Sequence, residues 1–161
     1  MTRKAFQDFY PDHLSHCYGC GRLNEKGLQI KTYWEDDNTT LTVFIPRPEH
    51  TAIPGFVYGG LIASLFDCHC TGTASAAAIR AAGLTPETAP AEPRFRFVTA
   101  ALHVNYLRPT PLGVPLEIRG QVKELKERKV VVTATLSAGG QVCATAEAVT
   151  VPMPETFLAT A

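Results

Sequence analysis

Leu28, Ile30, Thr32 and Trp34 share one parity of the chain, and after Asp36-Asp37-Asn38 the alternation resumes in Leu41, Val43 and Ile45. A period of two puts one set of side chains on one face, so the pattern predicts a β-hairpin turning at the Asp-Asp-Asn cluster. Pro46, Pro48 and Pro54 then interrupt regular structure in a loop that ends at Gly59-Gly60. From Leu61 to about Ala82 the chain has no proline and is dense in Ala, Leu and Ile, which predicts one long helix of about 33 Å. Ala63, Ser64, Gly72, Ala74, Ser75 and Ala76 to Ala78 are small, so neighbouring elements approach this helix closely. Gly83 is placed just past its end, and Pro86, Pro90 and Pro93 mark the loop that follows.

The period of two returns in Phe95, Phe97 and Thr99, and again in Leu102, Val104 and Tyr106 up to Arg108-Pro109. Pro111-Leu112-Gly113 reads as a turn. Three further strands follow: Leu116 to Val122, Val130 to Leu136, and Val142 to Val151, with Gly139-Gly140 as the hairpin turn between the last two. Two strands, one helix and four strands predict an α+β fold, an antiparallel β-sheet with one long helix on one face. Residues 1–27, punctuated by Pro11, Gly19, Gly21 and Gly27, are assigned to a cover segment, 28–152 to the domain, and 153–161 to a tail.

A length of 161 residues suits one domain, and 45% hydrophobic with 19% charged residues excludes wholesale disorder. The formal net charge is zero, which argues against a nucleic-acid partner. No apolar run is long enough to span a bilayer, and no apolar segment follows the charged N-terminus, so a soluble, cytoplasmic protein without a membrane partner is expected. The neutral total conceals a distribution. Residues 1–93 carry 7 basic and 10 acidic side chains, residues 94–129 carry 8 and 3, and residues 130–161 carry none and 2.

The run Phe56-Val57-Tyr58-Gly59-Gly60-Leu61-Ile62-Ala63-Ser64-Leu65-Phe66-Asp67 resembles the signature of the PaaI-like hotdog-fold thioesterases, in which Gly-Gly opens the central helix and an acidic residue follows seven positions after the second glycine. The stretch from Thr99 through His103-Val104-Asn105-Tyr106-Leu107-Arg108-Pro109 is similar to that family's strand ending in Asn-aromatic-x-Arg-Pro. Gly140-Gln141-Val142-Cys143-Ala144-Thr145-Ala146 is similar to its closing G-x-x-x-A-x-A. The resemblance extends over residues 28 to 151 in the family's order. It implies a hotdog fold and hydrolysis of an acyl- or aryl-acyl-coenzyme A, with coenzyme A present as part of the substrate and no other cofactor. In that reading Asp67 is nucleophile or general base, the Gly60 N–H is the oxyanion donor, and Thr99 assists across a dimer. Tyr58, Gly59 and Asn105 face the substrate. The family more often has His where this chain has Tyr58, which changes a substrate contact and keeps open a non-catalytic acyl-coenzyme A binding protein.

Helix geometry agrees with these roles. The first-turn amides lack internal partners and lie at the positive end of the helix dipole, where a peptide N–H can stabilise an oxyanion. Asp67 follows Gly60 by about two turns, so both face one way, but they are about 10 Å apart along the axis. One helix cannot bring both to one thioester carbon. The resemblance supplies the remedy, a homodimer in which the glycine of one helix meets the carboxylate of the other, often paired further into a tetramer. The phosphates of coenzyme A need cations near solvent. Arg108, Lys126, Arg128 and Lys129, in the positive block, are the candidates.

Five cysteines without a secretion signal read as reduced thiols. Cys17-x-x-Cys20 lies near His13 and His16, but no second Cys-x-x-Cys or His-x-x-x-His exists to complete a structural zinc site, so no metal is expected. On a helix Cys68 and Cys70 point about 200° apart and cannot share an ion. Cys143 belongs to a strand and to the core.

Overall fold

The proline-free stretch forms one helix, α1 (Gly59–Ala81), in the computed structural model, which describes residues 3–158. Six strands make one antiparallel sheet: β1 (Tyr33–Trp34), β2 (Thr40–Phe44), β3 (Phe97–Tyr106), β4 (Leu116–Lys126), β5 (Lys129–Ala138) and β6 (Gln141–Pro152). Their spatial order is β1-β2-β4-β5-β6-β3, so β3 is an edge strand hydrogen-bonded only to β6. This is the predicted hotdog arrangement of one long helix packed against an antiparallel sheet.

Leu61, Leu65 and Phe66 of α1 meet Leu116 and Ile118 of β4 and Val130, Val132 and Leu136 of β5, all without solvent exposure. Each such side chain contributes about 1.5–3 kcal/mol on burial. Gly72, among the small residues of α1, serves the cover segment. A Cβ at Gly72 would lie 2.8 Å from Gln7 Nε2, so the cover segment rests directly on the helix backbone. Gly83, at φ 72°, ends α1 as expected, with its N–H donating to the Arg80 carbonyl (2.9 Å) and the Leu84 N–H to that of Ile79 (3.1 Å). Gly139 and Gly140 take φ of 58° and 79° in the β5–β6 turn.

Two strand expectations change. The alternating stretch from Leu28 enters the sheet only at Tyr33–Trp34. Upstream, the N–H groups of Leu28 and Ile30 donate to the carbonyls of Tyr18 (2.7 Å) and Gly19 (2.9 Å) in the cover, and Gln29 at φ 55° breaks the extended run. In β3 the shift from the parity of Phe97 and Thr99 to that of Leu102 and Val104 is a β-bulge. Thr99 pairs with Thr150 and Ala101 with Val149, leaving Ala100 unpaired. Phe95 lies before this strand, in a 3₁₀ turn at Pro93–Phe95.

Candidate active site

α1 and β3 run antiparallel, and three hydrogen bonds mark the seam between them. At the helix N-terminus the Tyr106 hydroxyl donates to the Gly59 carbonyl (2.9 Å). Two turns on, the Thr99 hydroxyl donates to Asp67 Oδ1, and beyond it the Phe97 N–H donates to Ser75 Oγ (3.2 Å). The bulge lets Thr99 and, beyond it, Leu102 and Val104 all face inward despite their different parity. Asp67 and Thr99 are both half-buried, and this hydrogen bond joins them within one chain.

Gly60 is exposed, in the first turn of α1. A Cβ there would lie 2.6 Å from the ring of Tyr58, which folds back over the glycine. Gly59 packs against the Tyr106 ring, 3.4 Å from its would-be Cβ. As the axial argument requires, Gly60 and Asp67 sit about 10 Å apart within the chain. Beside the helix N-terminus an open groove of about 280 Å³ is lined by Gly59, Ile62, Tyr106, Arg108 and Thr110.

The basic candidates are not brought together. Arg108 sits by this groove, its guanidinium donating to the Val142 carbonyl (2.7 Å). Lys126 and Lys129 pair with Glu124 at the β4–β5 hairpin, at 2.6 Å and 3.3 Å. Val142 is level with Ser137, eight residues along β5 from Lys129, so hairpin and Arg108 are separated by about 26 Å at 3.3 Å per residue. Arg128 lies in the same hairpin. The rest of the positive block is dispersed as well: Arg119 binds Glu35 and Glu117, Lys123 binds Glu147, and Arg96 stacks on Tyr10. Asn105 is exposed on β3, its amide 3.5 Å from the Thr145 hydroxyl, toward the outer face of the sheet with Thr135 and Glu147.

Two contributors carried no assigned role in the sequence. Tyr106 stands in the sequence as the aromatic residue of the Asn-aromatic-x-Arg-Pro segment; its contact with Gly59 depends on the antiparallel docking of β3 on α1. His50 is nearly buried in the loop before the glycines, where its carbonyl accepts the Tyr58 N–H (3.1 Å) and its Nδ1 accepts the Arg47 N–H (3.0 Å). Burial and the Arg47 charge lower its pKa. No spacing pattern announces such a loop residue. Deeper in the helix, burial pushes the Cys70 thiol up to about 12, with the Asp67 charge adding to the effect.

Residues 54–145 match the family described as the thioesterase superfamily. A thioesterase superfamily protein from Shewanella loihica PV-4 is 50% identical over 89% of this chain and 98% of its own, with a TM-score of 0.66. The PaaI protein of the E. coli phenylacetic acid degradation operon (15% identity, 79% and 81% covered, TM-score 0.61) and zebrafish thioesterase superfamily member 2 (14%, 88% and 94%, 0.62) share the fold. No helix among the described residues is long and apolar enough to cross a membrane. Matched to that family over more than half its length, and to a half-identical member along most of both chains, the chain belongs to the thioesterase superfamily.

Proposed function

We propose that the protein is a cytoplasmic acyl-coenzyme A thioesterase that works as a homodimer. The observation that carries this reading is the Thr99–Asp67 hydrogen bond on a seam beside an open sheet edge. Because Thr99 donates to Oδ1, Oδ2 keeps its lone pairs for a water or for direct attack. Water adds to the thioester carbonyl as Asp67 takes its proton, the Gly60 N–H of a second copy holds the oxyanion, and the C–S bond then breaks. The sulfur leaves as coenzyme A thiolate and recovers the proton. In the alternative course the carboxylate attacks first and the C–S bond breaks to expel coenzyme A thiolate; water then opens the mixed anhydride, freeing the acid and Asp67, and the thiolate takes up a proton from that water. Both courses use the same residues and need no cofactor beyond the coenzyme A of the substrate.

The second copy answers the spacing between Gly60 and Asp67. Exposed Phe56, Tyr58, Tyr106 and Leu107 around the helix N-terminus, together with the unpaired edge of β3, supply apolar area and backbone donors for it. Tyr58, Gly59 and Arg108 line the entrance for the acyl thioester and one phosphate. Lys126, Arg128 and Lys129 reach coenzyme A from their distant hairpin only through the second copy, and Asn105 contacts it at the dimer rim.

A thiol-release assay over short, medium, long and aromatic acyl-coenzyme A esters tests the proposal. Turnover of at least one class is expected, and its loss in Asp67→Ala. Turnover that persists unchanged in that variant removes the mechanism. The Tyr58 ring against Gly60, at the position where the family more often has His, favours a second reading, a protein that binds acyl-coenzyme A without turnover. Tight binding with no hydrolysis of any ester would establish that reading.

A further inference from the structure

The cover segment and α1 meet at three sulfur atoms outside the proposed catalytic seam. Cys17 and Cys20 of the cover and Cys68, the residue after Asp67, have Sγ atoms all within 4.8 Å of one another. Cys17 and Cys68 are 3.9 Å apart. A tetrahedral thiolate site with metal–sulfur bonds of about 2.3 Å has S···S edges of about 3.8 Å, so one edge is already at that length. The other two edges share Cys20 and close with a contraction of about 1 Å or less as Cys20, on the cover loop, moves toward Cys17 and Cys68.

The loop is shaped around these atoms. The Gly21 N–H donates to the Cys17 carbonyl (2.7 Å). A Cβ at Gly19 would lie 2.3 Å from Cys68 Sγ, and one at Gly21 2.5 Å from the Cys17 nitrogen.

We propose that Cys17, Cys20 and Cys68 are thiolate ligands of one thiophilic divalent cation of the zinc type, with the fourth position taken by water, which fastens the cover to α1 one residue beyond Asp67. A count of motifs along the chain missed this because the third ligand comes from the helix. Binding releases the thiol protons to solvent and involves no electron transfer.

The test uses the full chain, stripped by a chelator under a phosphine reductant and titrated anaerobically with cobalt(II). The expected result is a thiolate-to-cobalt charge-transfer band with tetrahedral d–d bands, saturating at one ion per chain and abolished by zinc. Cys17→Ser and Cys68→Ser should lower affinity by more than the about 100-fold that loss of an outer-shell partner costs, and Cys143→Ser, on β6, should bind as the parent does. Folded parent protein without the charge-transfer band overturns the proposal whether or not the serine variants fold. So does a cobalt signal lost equally in Cys143→Ser. Cobalt-free protein that instead forms a Cys17 disulfide with glutathione disulfide would identify a redox pair in its place.

Discussion

Asp67 and His69 are two positions apart on α1, point about 200° apart, and meet different surroundings. Asp67 is half-buried on the seam with β3, and Thr99 is its hydrogen-bonding side-chain partner. His69 is fully buried, with the Thr42 hydroxyl 2.9 Å from Nδ1 and that of Thr40 3.2 Å from Nε2. The chain of polar groups continues from Thr40 to Thr73 (2.7 Å), and from Thr42 through Thr32 (3.0 Å) to Gln7 (3.1 Å). Gly120 makes room for it, since a Cβ there would lie 2.5 Å from Nε2. A buried polar group whose capacity is filled on both sides stiffens the core and has nothing left to offer a substrate. A carboxylate with one oxygen engaged and the other open retains capacity for chemistry.

Exchanging the roles of these residues should fail. Asp67→Asn is expected to lower kcat/KM by about 10³-fold in the thiol-release assay, within the range for a lost general base, with little change in the urea midpoint. His69→Ala should do the reverse. It leaves a cavity and takes one partner from each of the Thr40 and Thr42 hydroxyls, a loss of about 3 kcal/mol in urea unfolding, while kcat of the folded fraction stays within about 3-fold of the parent.

The pH dependence of stability sharpens the contrast. Burial lowers the His69 pKa from 6.5 to about 3, so the unfolded chain takes up a proton that the folded chain refuses. The His69 contribution is therefore complete above pH 6.5 and is lost as pH falls toward 3. The slope reaches about 1.4 kcal/mol per pH unit. Urea titrations across that window should show a shallower slope in His69→Gln.

Smaller effects belong to the supporting residues. Thr99→Val, which keeps the shape and removes the donor, should lower kcat by about 10-fold, and Thr99→Ser should restore most of it. Removing Lys126 and Arg128 together should raise KM for the coenzyme A ester by less than about 5-fold, and added salt should shrink that difference because both side chains are solvated. An unchanged KM would mean that the hairpin of one subunit does not reach the substrate of the other.

Much of the frame was legible. The absence of proline between Tyr58 and Gly83 delimited α1, and Asp36, whose Oδ1 accepts the N–H groups of Asn38 (2.8 Å) and Thr39 (2.7 Å), closed the predicted turn. The parity break in β3 was visible as a pattern, but alternation alone did not identify a bulge. The stretch from Leu28 was misjudged because its hydrogen bonds go to the cover, and periodicity does not name a partner. The positive block suffered similarly: a charge count along the chain carries no information about strand register, which sent Arg108 and Lys129 to opposite ends of the sheet.

Local composition and period by themselves determined one helix, an antiparallel sheet, the positions of the turns and the spacing of Gly60 from Asp67, because each depends on residues close together in the chain. Tertiary structure alone decided that the Thr99 hydroxyl bonds the Asp67 carboxylate, that His69 is sealed between β2 and β4, and that Cys68 lies beside Cys17 and Cys20. These contacts span 32, 29 and 51 residues of chain, and packing and strand register, not local pattern, bring their partners together.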